Sequence, residues 1–319
     1  HLVRCVVPLS EPSAQQMLAT KPTCFQTTLH GVPYVADGNI SRDQYLGVMH
    51  GLGCAYDFLD DPAQKKLAGD LIARVADYLI ANRWVAMQHD GKTPSAPFGQ
   101  SPDKMVAFTA LAAHVDPRFQ KVRDEVAPLV YVGWLGLWTS ILDPVSSYYK
   151  WNLGAGTRYQ AQRLETDPVR FMAMEREHAM ELRAIGHHGN AYFETIDAAV
   201  DPTLAAANAP KVLDELRRCV TRPRRYFTVQ NSTDPAIAQD DYFVPLSHVK
   251  SPTGGTGTVG PIKKRIAKYP LPVEKRCATD FLWQRDPFKL DGSGDPHEQP
   301  PGVDIVLPYW MARFYKLVP

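Results

Sequence analysis

The sequence predicts an all-α fold of antiparallel helical hairpins, closed into an (α/α) toroid or an incomplete one, with long irregular C-terminal loops. Three observations predict it. Apolar residues recur at helical spacing through most of residues 41–220. Four junctions in that stretch read Asp-Pro, at Asp61-Pro62, Asp116-Pro117, Asp167-Pro168 and Asp201-Pro202, each placing an N-cap acid before a proline suited to the first helical position. The hairpins also differ in length and share no consensus, which argues for a closed ring over a solenoid of like repeats.

Taken in order, residues 1–40 read as irregular or short-stranded, because Pro8, Pro12, Pro22 and Pro33 interrupt any long element. A helix then runs from Ser41 to about Leu59, opened by a capping box of Ser41 with Gln44. Asp61-Pro62 starts the next, whose Leu67, Leu71, Val75, Tyr78 and Leu79 repeat at helical spacing as far as about Trp84. Further helices are expected at 103–114 and 117–142, the longer kinked at Pro128, then at 145–165 and 168–185, and at 188–199 and 203–220. From 221 to 305 proline, glycine and short β-leaning runs such as Tyr226-Phe227-Thr228-Val229 take over. The apolar content there is too thin for a separate core, so the stretch is expected to cover one end of a single domain spanning 1–319. An aromatic helix in 306–319 closes the chain.

Composition narrows the function classes. A formal net charge of +1 offers no field for nucleic acid or an anionic membrane surface. No run of about 18 apolar residues is present, so no membrane span is expected. The chain begins at His1 and not at Met, and a processed leader with a secreted or periplasmic location is the expectation. Cys54 sits in a helix, whereas Cys5, Cys24, Cys219 and Cys277 fall at element ends, a pattern that fits two disulfides and one thiol. Proximity favours Cys5–Cys24, leaving Cys219–Cys277; five reduced cytosolic cysteines is the alternative. No cofactor or metal is expected. The glycine run 255–260 lacks a following helix, Glu175-Arg176-Glu177-His178 is one half of a di-iron pattern, and Asp291–Asp295 lacks the distal Glu of a calcium loop.

The strongest chemical lead is the first long helix. Tyr45, Met49, Leu52, Tyr56 and Leu59 form an apolar stripe, while Asp43, Gly47, His50, Cys54 and Asp57 lie opposite, within roughly 40° of one line. An acid, an imidazole and a thiol there, with Gly47 and Gly51 clearing space, describe a helix lining a pocket; close helix packing over the glycines is the competing reading. Three further clusters stand out: Tyr148, Tyr149, Trp151 and Asn152; His188 with Asn190; and Asp280, Trp283, Gln284 and Arg285. In each, the aromatics could equally be core and the polar groups satisfied locally.

Ser41-Arg42-Asp43-Gln44-Tyr45 with Gly47, then Gly51-Leu52, Ala55-Tyr56 and Asp60-Asp61-Pro62, resembles the opening of exported bacterial proteins of the six-hairpin (α/α) toroid superfamily. The Asp280–Arg285 stretch and Leu307-Pro308-Tyr309-Trp310-Met311 are similar to the end of the same group. That resemblance covers the two ends, and the middle by hairpin rhythm. It implies a cavity that hosts a glycoside hydrolase or polysaccharide lyase, or more rarely a dehydratase-isomerase.

The expected function is therefore an exported carbohydrate-active enzyme cleaving glycosidic bonds of a poly- or oligosaccharide. Asp43 would be the acid/base with His50 nearby, and Asp280 or Asp57 the second carboxylate that hydrolysis needs at about 5–10 Å. Tyr148, Tyr149, Trp151 and Trp283 would stack on sugar rings. Asn152, His188, Asn190, Gln284 and Arg285 would hold hydroxyl or carboxylate groups. A lyase would use His or Tyr as base and Arg42 or Arg285 to neutralise a uronate. Two alternatives stay open: a dehydratase or isomerase using acid, histidine and Cys54, and a non-catalytic component of an extracellular assembly. An oligomer is compatible with either.

Overall fold

The computed structural model describes residues 2–99, 101–133, 148–185, 188–221, 239–244, 247–250, 256–259, 262–267, 269–276, 287–288 and 302–319. The protein is mostly helical. It forms two compact units, His1–Gly136 with Gly156–Met174, and Leu137–Ala155 with Glu175–Pro319.

The first unit opens with an antiparallel sheet of β1 (Cys5–Pro8), β2 (Cys24–Leu29) and β3 (Val32–Asp37), in the order β1-β3-β2. Helix α1 (Pro12–Thr20), which sequence patterning did not anticipate, connects β1 to β2 and starts on Pro12. The β2–β3 turn is His30-Gly31, both at positive φ, as a tight two-residue hairpin requires. Cys5 and Cys24 both stand opposite Asp37, one on each side of β3. Two strand spacings, roughly 9–10 Å, separate their backbones, beyond the ~7 Å a disulfide spans. The expected Cys5–Cys24 bond is accordingly not formed, and both are thiols. Cys277 lies outside the described residues, and with it the Cys219–Cys277 pairing.

Helices α2 (Arg42–Phe58) and α3 (Pro62–Ala81) form the first hairpin from the expected starts, and α3 ends three residues before the expected Trp84, where Arg83 and Trp84 take positive φ. The Gln44 side chain accepts the Ser41 N–H at 2.9 Å, and Asp61 accepts the N–H groups of Ala63 and Gln64. Gly69 lets α3 approach the Tyr56 ring: a Cβ there would lie 3.0 Å from Cε2. A short ladder of β4 (Val85–Met87) and β5 (Pro94–Pro97) leads to α4 (Pro102–Val115), buried from Val106 to Ala112.

The long helix expected over 117–142 does not form. The described part is a 3-10 turn (Pro117–Phe119), α5 (Gln120–Val126) and a second 3-10 segment (Ala127–Val132). Pro128 has no N–H and would clash with the turn before it, so the α-helix stops at Val126.

Helices α6 (Tyr149–Gln162) and α7 (Pro168–Ile185) each supply residues to both units. The second unit adds α8 (Ala191–Val200), α9 (Ala205–Thr221) and the closing helix α10 (Val303–Phe314). Ala191, Ala198, Val212, Leu216, Ala312, Leu317 and Val318 form its shared core. All four Asp-Pro junctions work as read: Asp116, Asp167 and Asp201, like Asp61, accept backbone N–H groups of the following turn. Within 221–305, expected to be irregular, β6 (Gln239–Val244) pairs with β9 (Ile262–Ala267), and β7 (Ser247–Lys250) pairs between them with β8 (Thr256–Val259). Alternation of apolar residues there is weak, which hid the two ladders.

Candidate functional site

The polar stripe of α2 faces helix α6 within the first unit. The Gln160 amide N–H group lies 3.2 Å from Nδ1 of His50, 3.2 Å from its backbone oxygen and 3.4 Å from Sγ of Cys54. Sγ of Cys54 is 4.0 Å from Nε2 of His50. The Gln160 carbonyl oxygen in turn accepts from Nε and Nη2 of Arg163, at 2.8 and 2.6 Å. Arg163 also pairs with Asp57, whose other oxygen meets His114 at 2.6 Å. A cavity of about 10 Å³ borders this stripe, lined by His50, Gln160, Met49, Phe108 and Leu111 among others, room for about one water.

Burial pushes His50 down to about 4, with the Arg163 charge adding to the effect, so the imidazole is neutral at pH 7. Burial likewise raises the Cys54 thiol. A neutral imidazole and a neutral thiol on one amide make a helix–helix tie, not an activated nucleophile. The glycine that permits it is Gly53, whose Cβ would meet Leu111 at 2.7 Å and Gln160 at 2.9 Å. Gly47 and Gly51, read as clearing space, are exposed and would meet nothing within 4 Å. Asp43 is half-buried in the first turn of α2 and makes no hydrogen bond or ion pair among the described residues. Seven residues of helix, roughly 10 Å of rise, part it from His50. Arg42 donates to Ser101 Oγ at 2.9 Å.

The second unit gathers two of the other predicted clusters. Tyr148 Oη lies 3.3 Å from Nδ1 of His188, and the Asn190 amide donates to Asn152 Oδ1 at 3.1 Å. Asn190 also caps α8 by accepting the Tyr192 N–H. Arg276 donates to the backbone oxygens of His188 and Leu271, and Phe288 meets the His188 ring edge-on with centroids 5.1 Å apart. Tyr148, Trp151, Asn152 and His188 are buried, and Tyr149 is half-buried. Asp280, Trp283, Gln284 and Arg285 lie outside the described residues. Arg276 and Phe288, on either side of that stretch, both reach His188.

Beside this cluster stand acids that sequence reading missed. Oε1 of Glu215 lies 2.9 Å from where a Cβ on Gly189 would sit, and Gly189 itself takes a φ of +62°. Burial raises Glu215 to about 7, with Arg276 working against the shift. Burial and the charge of Glu215 raise Glu194 well above the usual carboxylate range. One helical turn on, Asp197 accepts from Nε2 of His178 at 3.0 Å and from the Asn208 amide at 2.8 Å. A signal did exist in the sequence. Ala191–Ala198 is apolar on every face except at Glu194, Thr195 and Asp197, and all eight residues are buried. Acids in such a helix have to be buried too.

Among the described residues, no group of three His, Cys, Asp or Glu side chains is placed to hold a metal ion. Comparison with protein families, with curated proteins and with solved structures finds no match to this chain.

Proposed function

We propose that the protein is an exported carbohydrate-active enzyme, built on an (α/α) toroid, that cleaves uronate-containing glycosidic bonds at the Tyr148–His188 cluster. The contact of Tyr148 Oη with His188 Nδ1 at 3.3 Å carries this reading, because it pairs two groups able to exchange a proton. In a β-elimination, one member takes the proton beside the uronate carboxyl, the C–O bond to the leaving sugar breaks, and the other returns a proton to the departing oxygen. The Asn152–Asn190 amides supply donors for the uronate carboxylate, and the cationic Arg276 is fixed on His188 by its hydrogen bond to the backbone. Hydrolysis is the variant favoured by Glu215, a carboxyl held near 7 as a general acid requires.

A second reading, a non-catalytic component of an extracellular assembly, is favoured by the burial of Tyr148, Trp151 and Asn152. A panel of neutral and uronic polysaccharides separates the two. Release of an unsaturated, ultraviolet-absorbing product, lost in Tyr148→Phe and His188→Ala with the fold intact, supports the lyase. New reducing ends without that absorbance point to hydrolysis. No turnover of any glycan, with both variants strongly destabilised, favours the structural component.

A further inference from the structure

The second unit holds a pair of buried carboxyl groups on two neighbouring helices. Glu194 on α8 and Glu215 on α9 lie on helices that pack together, and Oε2 of each is buried without a hydrogen-bond partner among the described residues. Charged groups among the described residues act on them. Lys211, Asp214 and Arg218 come from α9, Asp197 from α8, and Arg276 from the segment after β9. His178 on α7 is taken up by Asp197. From α10 and the residues after it, Ala312, Leu317 and Val318 add apolar side chains to the core that α8 and α9 share. Two ionised carboxylates here would repel each other, with no donor among the described residues supplied to either Oε2.

We propose that the α8–α9 contact is a proton-dependent latch, closed while Glu194 and Glu215 are both protonated and loosened when Glu215 ionises. The latch stands on this packing whether or not the neighbouring cluster acts on glycans. Because Glu215 abuts Gly189, its release frees the turn that carries His188 and Asn190. The direction follows from linkage. A glutamate in the unfolded chain ionises near 4.5, whereas Glu215 in the folded protein resists until about 7. The latch is at full strength below the first value, weakens as pH rises between the two, and is lost above the second.

Hydrogen exchange of the full chain, corrected for the intrinsic pH dependence of the chemistry, tests it. Protection of peptides covering α8 and α9 should fall by up to roughly 100-fold between about pH 5 and pH 8. Glu215→Gln, of the same shape without the charge, should remove most of that loss, and peptides from α2 in the first unit should show no loss over the interval. Protection of α8 and α9 that ignores pH in the parent, or that falls equally in Glu215→Gln, overturns the latch. Infrared spectra of the parent guard against a variant that fails to fold. A protonated-carboxyl band present at about pH 6 and fading towards pH 8 supports the proposal, and its absence at pH 6 overturns it.

Discussion

Helix α2 carries three interior glycines, Gly47, Gly51 and Gly53, and replacing each by alanine should separate helix propensity from packing. At Gly53 the added Cβ would lie 2.7 Å from Leu111 Cδ2, 2.9 Å from Gln160 Oε1 and 3.3 Å from Arg163 Nη2. Leu111 can turn aside, but Gln160 is held by two N–H groups of Arg163 and itself donates to His50 and Cys54. Overpacking of this kind costs about 1–3 kcal/mol, and a strained hydrogen bond adds about 1 kcal/mol. The gain in helix propensity returns about 1 kcal/mol. Gly53→Ala should therefore lose about 1–3 kcal/mol net. Gly47→Ala and Gly51→Ala, with nothing within 4 Å of the new carbon, should each gain up to about 1 kcal/mol. Urea unfolding of the three variants, with slopes equal to that of the parent, reads these values directly. A Gly53→Ala protein as stable as Gly51→Ala would refute the close approach of α2 to α4 and α6 at this point.

His50 should make the first unit acid-sensitive. Its folded value near 4 lies below the unfolded 6.5, so stability is full above 6.5 and falls as pH drops towards 4, by about 3 kcal/mol in all; His50→Gln should flatten that limb of a melting-temperature profile. Asp43→Asn should change stability by less than about 1 kcal/mol, the size of a first-turn charge effect, and should leave any glycan turnover intact. A loss of turnover there would return the site to α2. Arg163→Met strips Asp57 and Gln160 of a shared partner and should cost about 2–4 kcal/mol in chemical denaturation, more than Arg118→Met at the exposed Asp77 and Asp116 pairs. Alkylation of the unreduced, unfolded protein followed by mass spectrometry should label Cys5 and Cys24 as thiols; a linked peptide joining them would contradict the sheet register.

Local chemistry alone determined much of the fold. Asp61, Asp116, Asp167 and Asp201 announce helix or 3-10 starts because an N-cap carboxylate and a following proline act within one turn of backbone. The limits of α2, α3, α4 and α7 follow from the same signals. Pro128 shows where local reading stopped short: its position was plain, but a kink and a full stop differ only in what the surroundings can absorb. The clustering of Tyr148 with His188 and of Asn152 with Asn190 was legible as two separate motifs. Their meeting was not, since about 40 residues of chain part them.

Tertiary structure also decided the sense of every polar stripe. His50, Cys54 and Asp57 look alike on a helical wheel whether they face solvent, substrate or another helix. Gln160 and Arg163, more than 100 residues away, help make them a packed tie. Glu194 and Glu215 were passed over because an acid in a helix is ordinarily a surface residue. Burial is a property of the assembled unit, and it is burial that raises both carboxyls and lowers His50.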